Sequence, residues 1–179
     1  MRVILLSDTH GTVDPRIAGL VARAEHVVHA GDVGCLAVLT ALRPRGRTVV
    51  VRGNNDVPAK WPAGEGGALE ALPEHASLDL PGGRVAVVHG HVGSTRDRHA
   101  RLRRAYPDAR LVVYGHSHHA CIDREATPWV VNPGAAGRAR TFGGPSCLLL
   151  DARERRWTVR LLRFPPLATD ARRDRRRSI

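Results

Sequence analysis

Apolar residues in this chain come in short runs that stop abruptly at a polar residue beside a glycine. Val3–Leu6 gives way to Ser7-Asp8-Thr9-His10-Gly11, and Leu111–Tyr114 to Gly115-His116-Ser117-His118. Runs this short, bounded by turn residues, read as buried strands. The pattern predicts strands over 2–8, 26–31 and 48–52. Between them, Asp14-Pro15 reads as an N-cap and first helical residue, opening a helix to about Glu25. A second helix, Cys35–Leu42, stops before Pro44. Strands alternating with helices in this way favour a parallel sheet with right-handed crossovers.

The Pro/Gly-rich segment 57–67 reads as a loop. Ala76–Leu80 and Arg84–His89 flank Pro81-Gly82-Gly83 and read as a hairpin. Ser94–Tyr106 reads as a basic, exposed helix ended by Pro107. Five short strands follow near 110–114, 120–124, 128–131, 146–151 and 156–163, and are expected to be mostly antiparallel. The predicted class is α/β: a two-sheet α/β sandwich (αββα), with one domain over 1–164 and a basic, disordered tail over 165–179.

Composition narrows the setting. The chain has 179 residues, a length that suits one domain with its own core. Cys35, Cys121 and Cys147 are odd in number, far apart and without a CxxC pair, which fits a reducing, cytoplasmic compartment. The apolar start is too short for a signal peptide, and no stretch approaches a membrane span. Net charge is +11, and all but Lys60 of the 28 basic residues are arginine. From Asp151 onward ten Arg face four Asp or Glu. Such a surface attracts phosphates and polyanions, but aromatics make up 4% of the chain and form no stacking stripe for bases.

The chemistry sits where the apolar runs stop. Asp8, His10, Asp32, Asn54, His89, His116 and His118 all lie just past predicted strands, and open α/β sheets bind ligands beyond their strand carboxyl ends. Residues two apart on a strand share a side, so Asp8 and His10 can reach one ion together, as can His116 and His118. Carboxylate and amide oxygens mixed with imidazole suit Mn, Fe, Zn, Co or Ni. Seven ligands exceed what one open tetrahedral ion needs, whereas two ions sharing a carboxylate use them all.

The ordered motifs Ser7–Gly11, Gly31-Asp32, Gly53-Asn54, His89-Gly90-His91, Gly115–His118 and Asn132-Pro133-Gly134 resemble the calcineurin-like metallophosphoesterase superfamily, most closely its small prokaryotic YfcE-type phosphodiesterase branch. The resemblance runs from Asp8 to about Asp151. It implies a two-sheet sandwich with a dinuclear site at the strand ends, Mn being the first expectation among the metals. It further implies that Asp8, His10 and His118 hold one metal, that Asn54, His89 and His116 hold the other, and that Asp32 bridges them beneath a nucleophilic hydroxide. The implied reaction is hydrolysis of a phosphodiester, small-molecule or nucleotide-like. The same fold includes a retromer subunit that serves as a scaffold, and the arginine-rich surface keeps a nuclease or nucleic-acid-binding alternative in view.

One position departs from the superfamily. Many members read Gly-Asn-His, the His being the proton donor to the leaving group, whereas this chain has Asn55. An amide donates a hydrogen bond but no proton. His91 is the substitute acid or a supporting residue. Catalytic candidates are therefore Asp32, Asn54, Asn55 and His91. Of the other histidines, His29 is expected to be structural, His119 to face away from the site, and His26, His75 and His99 to lie at the surface. Arg96 and Arg98 are expected on an exposed basic helix face, within reach of a substrate phosphate.

Overall fold

Burial sorts the strands into central and edge positions in the computed structural model, which describes residues 1–167. In β1 (Arg2–Leu6) the last four residues are all buried, so the strand needs a neighbour on each side and a layer on each face. It pairs in parallel with β2 (His26–Ala30) and antiparallel with β9 (Ser146–Ala152). β3 (Thr48–Val51) and β10 (Trp157–Arg163) complete a sheet of order β10-β9-β1-β2-β3. A second sheet has the order β4-β5-β6-β8-β7, built from His75–Leu80, Gly83–Val88, Leu111–Val113, Trp129–Asn132 and Cys121–Asp123.

The sheets pack face to face through Leu5, Val28, Val51 and Leu148 on one side and Leu78, Val87, Leu111 and Val131 on the other. The outer face of the first sheet, Ile4, Leu6 and Val27, is covered by α1 (Pro15–Val21), α2 (Leu36–Ala41) and α3 (Gly66–Glu70) through Ile17, Val21, Val38 and Leu69. The outer face of the second, Ala86, Val112 and Val130, is covered by Leu102 of α4 (Arg98–Ala105). The layering is the αββα sandwich expected from the sequence. Among the described residues no helix is long and apolar enough to cross a membrane.

Four details differ from the sequence reading, each for a tertiary reason. The first helix starts as predicted, with the Asp14 side chain accepting from Arg16 N at 2.9 Å. It ends at Val21 rather than near Glu25, because Ala24 and Arg23 close tight turns that bring Glu25 N to the Arg2 carbonyl and align His26 with Val3. The predicted loop 57–67 holds a 3-10 turn, Pro58–Lys60, and the start of α3. Gly66 and Gly67 are poor helix formers, so burial of Leu69 drives that helix. The predicted helix 94–106 begins only at Arg98, because Ser94 Oγ accepts from Arg96 N at 3.2 Å and holds the preceding residues in a turn.

The fourth correction concerns the later strands. β5–β6 and β6–β8 pair in parallel, so the stretch 110–131 is not the antiparallel meander expected. Val130 and Val131 of β8 are fully buried and take an inner position, while the half-buried β7 takes the edge. β9 and β10 then return to the first sheet. At the end of the described chain the Pro165 carbonyl accepts from Arg16 at 2.8 Å. The predicted tail lies, from residue 168 onward, outside the described residues.

Leu148 is fully buried between the sheets. Leu148→Ala is expected to cost about 2–5 kcal/mol in urea denaturation. A loss under about 1 kcal/mol would place it outside a close-packed core.

Candidate metal centre

Five strands from the two sheets, β1, β2, β3, β5 and β6, end at one rim of the sandwich, and the residues after them turn inward there. The β1 and β2 exits are laced together: Asp8 N donates to Gly31 O, His10 N to Asp32 O, and Gly11 N to Val33 O, all at 2.8–3.0 Å. The β5 and β6 exits join through Gly115 N to His89 O. The Asn132 side-chain amide donates to the Gly115 carbonyl at 2.8 Å and lies 3.1 Å from Ser117 Oγ, which fixes the loop carrying His116 and His118.

The backbone at this rim is strained in a telling way. Among the described residues, six non-glycine positions have φ between +46° and +67°, and five of them are Asp8, His10, Asp32, His116 and His118. Left-handed conformations in such residues cost roughly 1–3 kcal/mol and persist where the surroundings over-determine them. The cost is accepted because it turns each side chain into the rim.

What meets there is a set of lone pairs. One ligand atom from each of Asp8, His10, Asp32 and His118 lies within 4.8 Å of all the others. His10 Nε2 is 3.1 Å from His118 Nε2. His118 Nε2 is 3.4 Å from Asp8 Oδ1, and His10 Nε2 is 3.7 Å from Asp32 Oδ2. A second group adjoins the first. Asn54 Oδ1 is 3.1 Å from His89 Nε2 and 2.9 Å from His116 Nδ1. His89 Nε2 is also 3.4 Å from Asp32 Oδ1. The two oxygens of Asp32 thus face the two groups separately.

Tautomers sharpen the picture. His89 Nδ1 donates to the Ala30 carbonyl at 2.8 Å, and His118 Nδ1 to the Ala139 carbonyl at 3.3 Å. A carbonyl only accepts, so the neutral form of either ring carries its lone pair on Nε2, aimed at other acceptors. Acceptors converging on acceptors call for a cation. Ligands about 2.1 Å from one ion stand roughly 3.0 Å apart at a right angle and 3.4 Å at the tetrahedral angle, and the observed separations fall around these values. The donor set therefore fits metal ions.

Ionisation agrees. Burial pushes the Asp8 carboxyl up to about 6, only partly offset by the His89 charge and the Ser7 hydroxyl. Burial, then the Arg140 and His10 charges, push His118 down to about 4. His10 is lowered by burial although Asp32 opposes this. Asp32 is buried as well, but the His89 ring and the Asn55 hydrogen bonds overcome that and hold it well below the usual carboxylate range. The same contact raises His89 against its burial.

The other candidates divide. Asn55 does not face the rim as a free donor: its backbone N and side-chain Nδ2 donate to the two oxygens of Asp32 at 2.9 and 2.7 Å, and its Oδ1 accepts from Lys60 Nζ. His91 is exposed, with its ring centroid 5.6 Å from His89 and 6.2 Å from His116. His29 is structural as expected: fully buried, with ring nitrogens 2.9 Å from Thr9 Oγ1 and 3.1 Å from Gly31 N. His119 stacks on exposed Phe142. His99, expected at the surface, is half-buried between Asp123 at 2.6 Å and the Tyr114 hydroxyl at 2.9 Å. Arg98 is buried rather than exposed, its guanidinium over the Tyr114 ring, while Arg96 is exposed as expected.

Two contributors had no role assigned to them from the sequence. Buried Asp56 accepts from Val33 N, Gly34 N, Gly53 N and Trp61 Nε1 at 2.7–3.1 Å, tying the Asp32 loop to the Asn54 loop. Its sequence signal was its place as the acidic residue closing Gly53-Asn54-Asn55-Asp56, where many superfamily members read Gly-Asn-His-Asp/Glu. Arg140, at a φ of +52°, lies 3.5 Å from His10 Nε2. In a chain so rich in arginine, nothing marks it out.

The profile of the calcineurin-like phosphoesterase superfamily domain matches residues 1–155. No curated protein matches the chain. Among solved structures, zinc-complexed wild-type Vps29 from Entamoeba histolytica is 19% identical with a TM-score of 0.69, over 92% of this chain and 98% of that one. A novel archaeal phosphodiesterase is 21% identical with a TM-score of 0.67, over 90% of this chain and 100% of its own. A predicted phosphoesterase from Streptococcus pneumoniae is 22% identical with a TM-score of 0.61, over 93% and 92%. Likeness at these identities speaks to the fold.

A Cβ on Gly53 would sit 2.2 Å from Asp32 Oδ1, whereas one on Gly67 meets nothing within 4 Å. By calorimetric titration, Gly53→Ala is expected to weaken divalent-metal binding about 10–100-fold, and Gly67→Ala to bind as the parent. Equal affinity in all three proteins would detach Asp32 from the metal. Asp56→Ala strands several buried N–H groups and is expected to cost more than about 3 kcal/mol of stability, read from denaturant midpoints.

Proposed function

The chain belongs to the calcineurin-like phosphoesterase superfamily, and from that membership we propose that it is a metal-dependent phosphodiesterase of the small prokaryotic YfcE-like type. The observation that carries the reading is the convergence of seven lone-pair donors from both sheets into two adjoining groups that share Asp32. In this reading Asp8, His10 and His118 hold one ion, and Asn54, His89 and His116 hold the other. Manganese is the first choice, with nickel, cobalt, iron or zinc as alternatives for such ligands. The zinc-complexed Vps29 shares the fold and supports zinc as one of them. Bound cations would supply Lewis acidity toward the phosphoryl oxygens and a water deprotonated near neutral pH.

The chain's own residues set the geometry for that chemistry. Asn55 grips both oxygens of Asp32, and Lys60 donates to the Asn55 side-chain carbonyl, which favours that amide orientation. Neutral His10 and His118 rings keep their lone pairs available. Arg140 adds positive charge beside His10, which would favour an anionic substrate at the rim. Asn55 is thus a positioning residue, and it leaves the position of a leaving-group acid to a group that cannot give up a proton. General-acid help is typically worth about 10²–10⁴-fold.

The test is a panel of metals against substrates. Protein stripped of metal and reloaded with Mn, Ni, Co, Zn or Mg is assayed on aryl diesters, aryl monoesters, cyclic nucleotides and single-stranded DNA. Aryl diesters are expected to turn over with at least one metal, and Asp32→Ala to lose about 10²-fold or more in kcat/KM. No turnover with any metal, or Asp32→Ala equal to the parent, would overturn the reading. DNA as the preferred substrate would favour a nuclease. Separately, aryl diesters are expected to react about 10²-fold or more faster than unactivated alkyl diesters; equal rates would mean that a proton donor does serve the leaving group.

A further inference from the structure

Beside the Asn54–His89 half of the centre the surface opens into a cleft of about 610 Å³, continuous with the site because Asn54, His89 and His91 form one of its walls. Leu69 of α3, Leu102 and Ala105 of α4, and Tyr106 also line it. The volume is in the range of small-molecule sites, which are mostly apolar with a few polar groups. Val57 and Val92 also line it and are 37% and 68% exposed, a third of the large exposed hydrophobics among the described residues.

Most polar side chains around the cleft are already engaged; the exception is exposed Glu70, whose carboxylate disfavours an anionic occupant. Arg52 pairs with Glu74 at 2.7 Å. His75 Nδ1 meets the Tyr106 hydroxyl at 2.6 Å. Arg101 donates to the Val92 and Ser94 carbonyls, pinning the loop that follows His91. None of these pairs asks for a charged occupant. What is left to offer is apolar surface edged by the rings of Tyr106, His75 and His91, which favours a flat ring over an open aliphatic chain.

We propose that this cleft holds one ester substituent of the phosphodiester, and that the substituent is an uncharged aromatic or heteroaromatic ring. The inference rests on the phosphodiesterase reading, since it is the phosphoryl group at the centre that delivers the ring to the cleft. It makes α3, α4 and Tyr106 the determinants of specificity, distinct from the residues that hold the ions.

The probe is diphenylphosphinate, whose P–C bonds resist hydrolysis, with dimethylphosphinate as comparator. Each is titrated into the zinc-loaded, ¹⁵N-labelled full chain. Diphenylphosphinate is expected to bind about tenfold or more tighter and to shift the amides of Leu69, Leu102, Ala105 and Tyr106; dimethylphosphinate is expected to leave them in place. Ala105 is exposed at the end of α4, so Ala105→Trp fills the cleft without entering the core, and is expected to abolish the difference between the two probes. Equal binding of the two probes, absence of binding by both, shifts confined to other residues, or Ala105→Trp retaining the difference would each overturn the proposal. Aromatic selectivity in a protein that hydrolyses no diester would leave the cleft assignment standing and remove the phosphodiesterase reading; hydrolysis without aromatic selectivity would do the reverse. Adenosine and phenol, titrated alone, then show which kind of ring the cleft prefers.

Discussion

Lone pairs held face to face govern this structure. Two imidazole nitrogens stand 3.1 Å apart, carboxylate oxygens lie 3.4–3.7 Å from them, and an amide oxygen sits between two further imidazoles. Such groups repel unless a cation or proton lies between them, so something else must hold them in register. That something is backbone. Ladder-like hydrogen bonds lace the β1 exit to the β2 exit, and Asp56 clamps the β2 exit to the β3 exit through three backbone donors. Left-handed φ values at five of these rim positions record the strain that remains.

The sandwich explains why those exits meet at all. Parallel strands in both sheets end at the same rim, and the packed core between the sheets sets how far apart the rims lie. Leu5, Val28 and Val51 lead directly into the Asp8, Asp32 and Asn54 loops, while Val87 and Val113 lead into the His89 and His116 loops, and all five belong to one apolar cluster. A change in packing there moves the rim residues of opposite sheets relative to each other. Core and centre are therefore one mechanical unit, and glycines at 31 and 53 are needed because the loops approach closer than a side chain permits.

The residues that meet at the rim were legible in the sequence because each follows a short apolar run, a local signal tied directly to where strands end. His29 was legible for the same reason, lying inside a strand. Features that depend on tertiary packing were not. α3 begins with two glycines and forms only because Leu69 finds the core. The parallel pairing of β6 with β8 depends on which strand is buried on both faces, which a pair of short apolar runs cannot reveal. His99 and Arg98 read as surface groups because their partners, Asp123 and Tyr114, are distant in sequence. Asp56 binds three backbone amides, and backbone partners leave no trace in side-chain patterns.

That division carries a functional meaning. The centre is built from strand exits and main-chain hydrogen bonds, which tolerate little change and write themselves into local motifs. The cleft is built from side chains on α3, α4 and the loops after Arg52 and His91, the very segments whose boundaries the sequence pattern misplaced. A wall made of exposed helix ends such as Ala105 can change shape without touching the ladder that holds Asp32. Chemistry and selectivity then rest on different physical supports: the first on over-determined backbone, the second on apolar contact area worth about 25 cal/mol per Å² buried. In the proposed reading, a substituent that fills the cleft would add binding energy next to the phosphoryl group without asking the centre to move, and a poor fit there would cost affinity while leaving the geometry of the rim as it is.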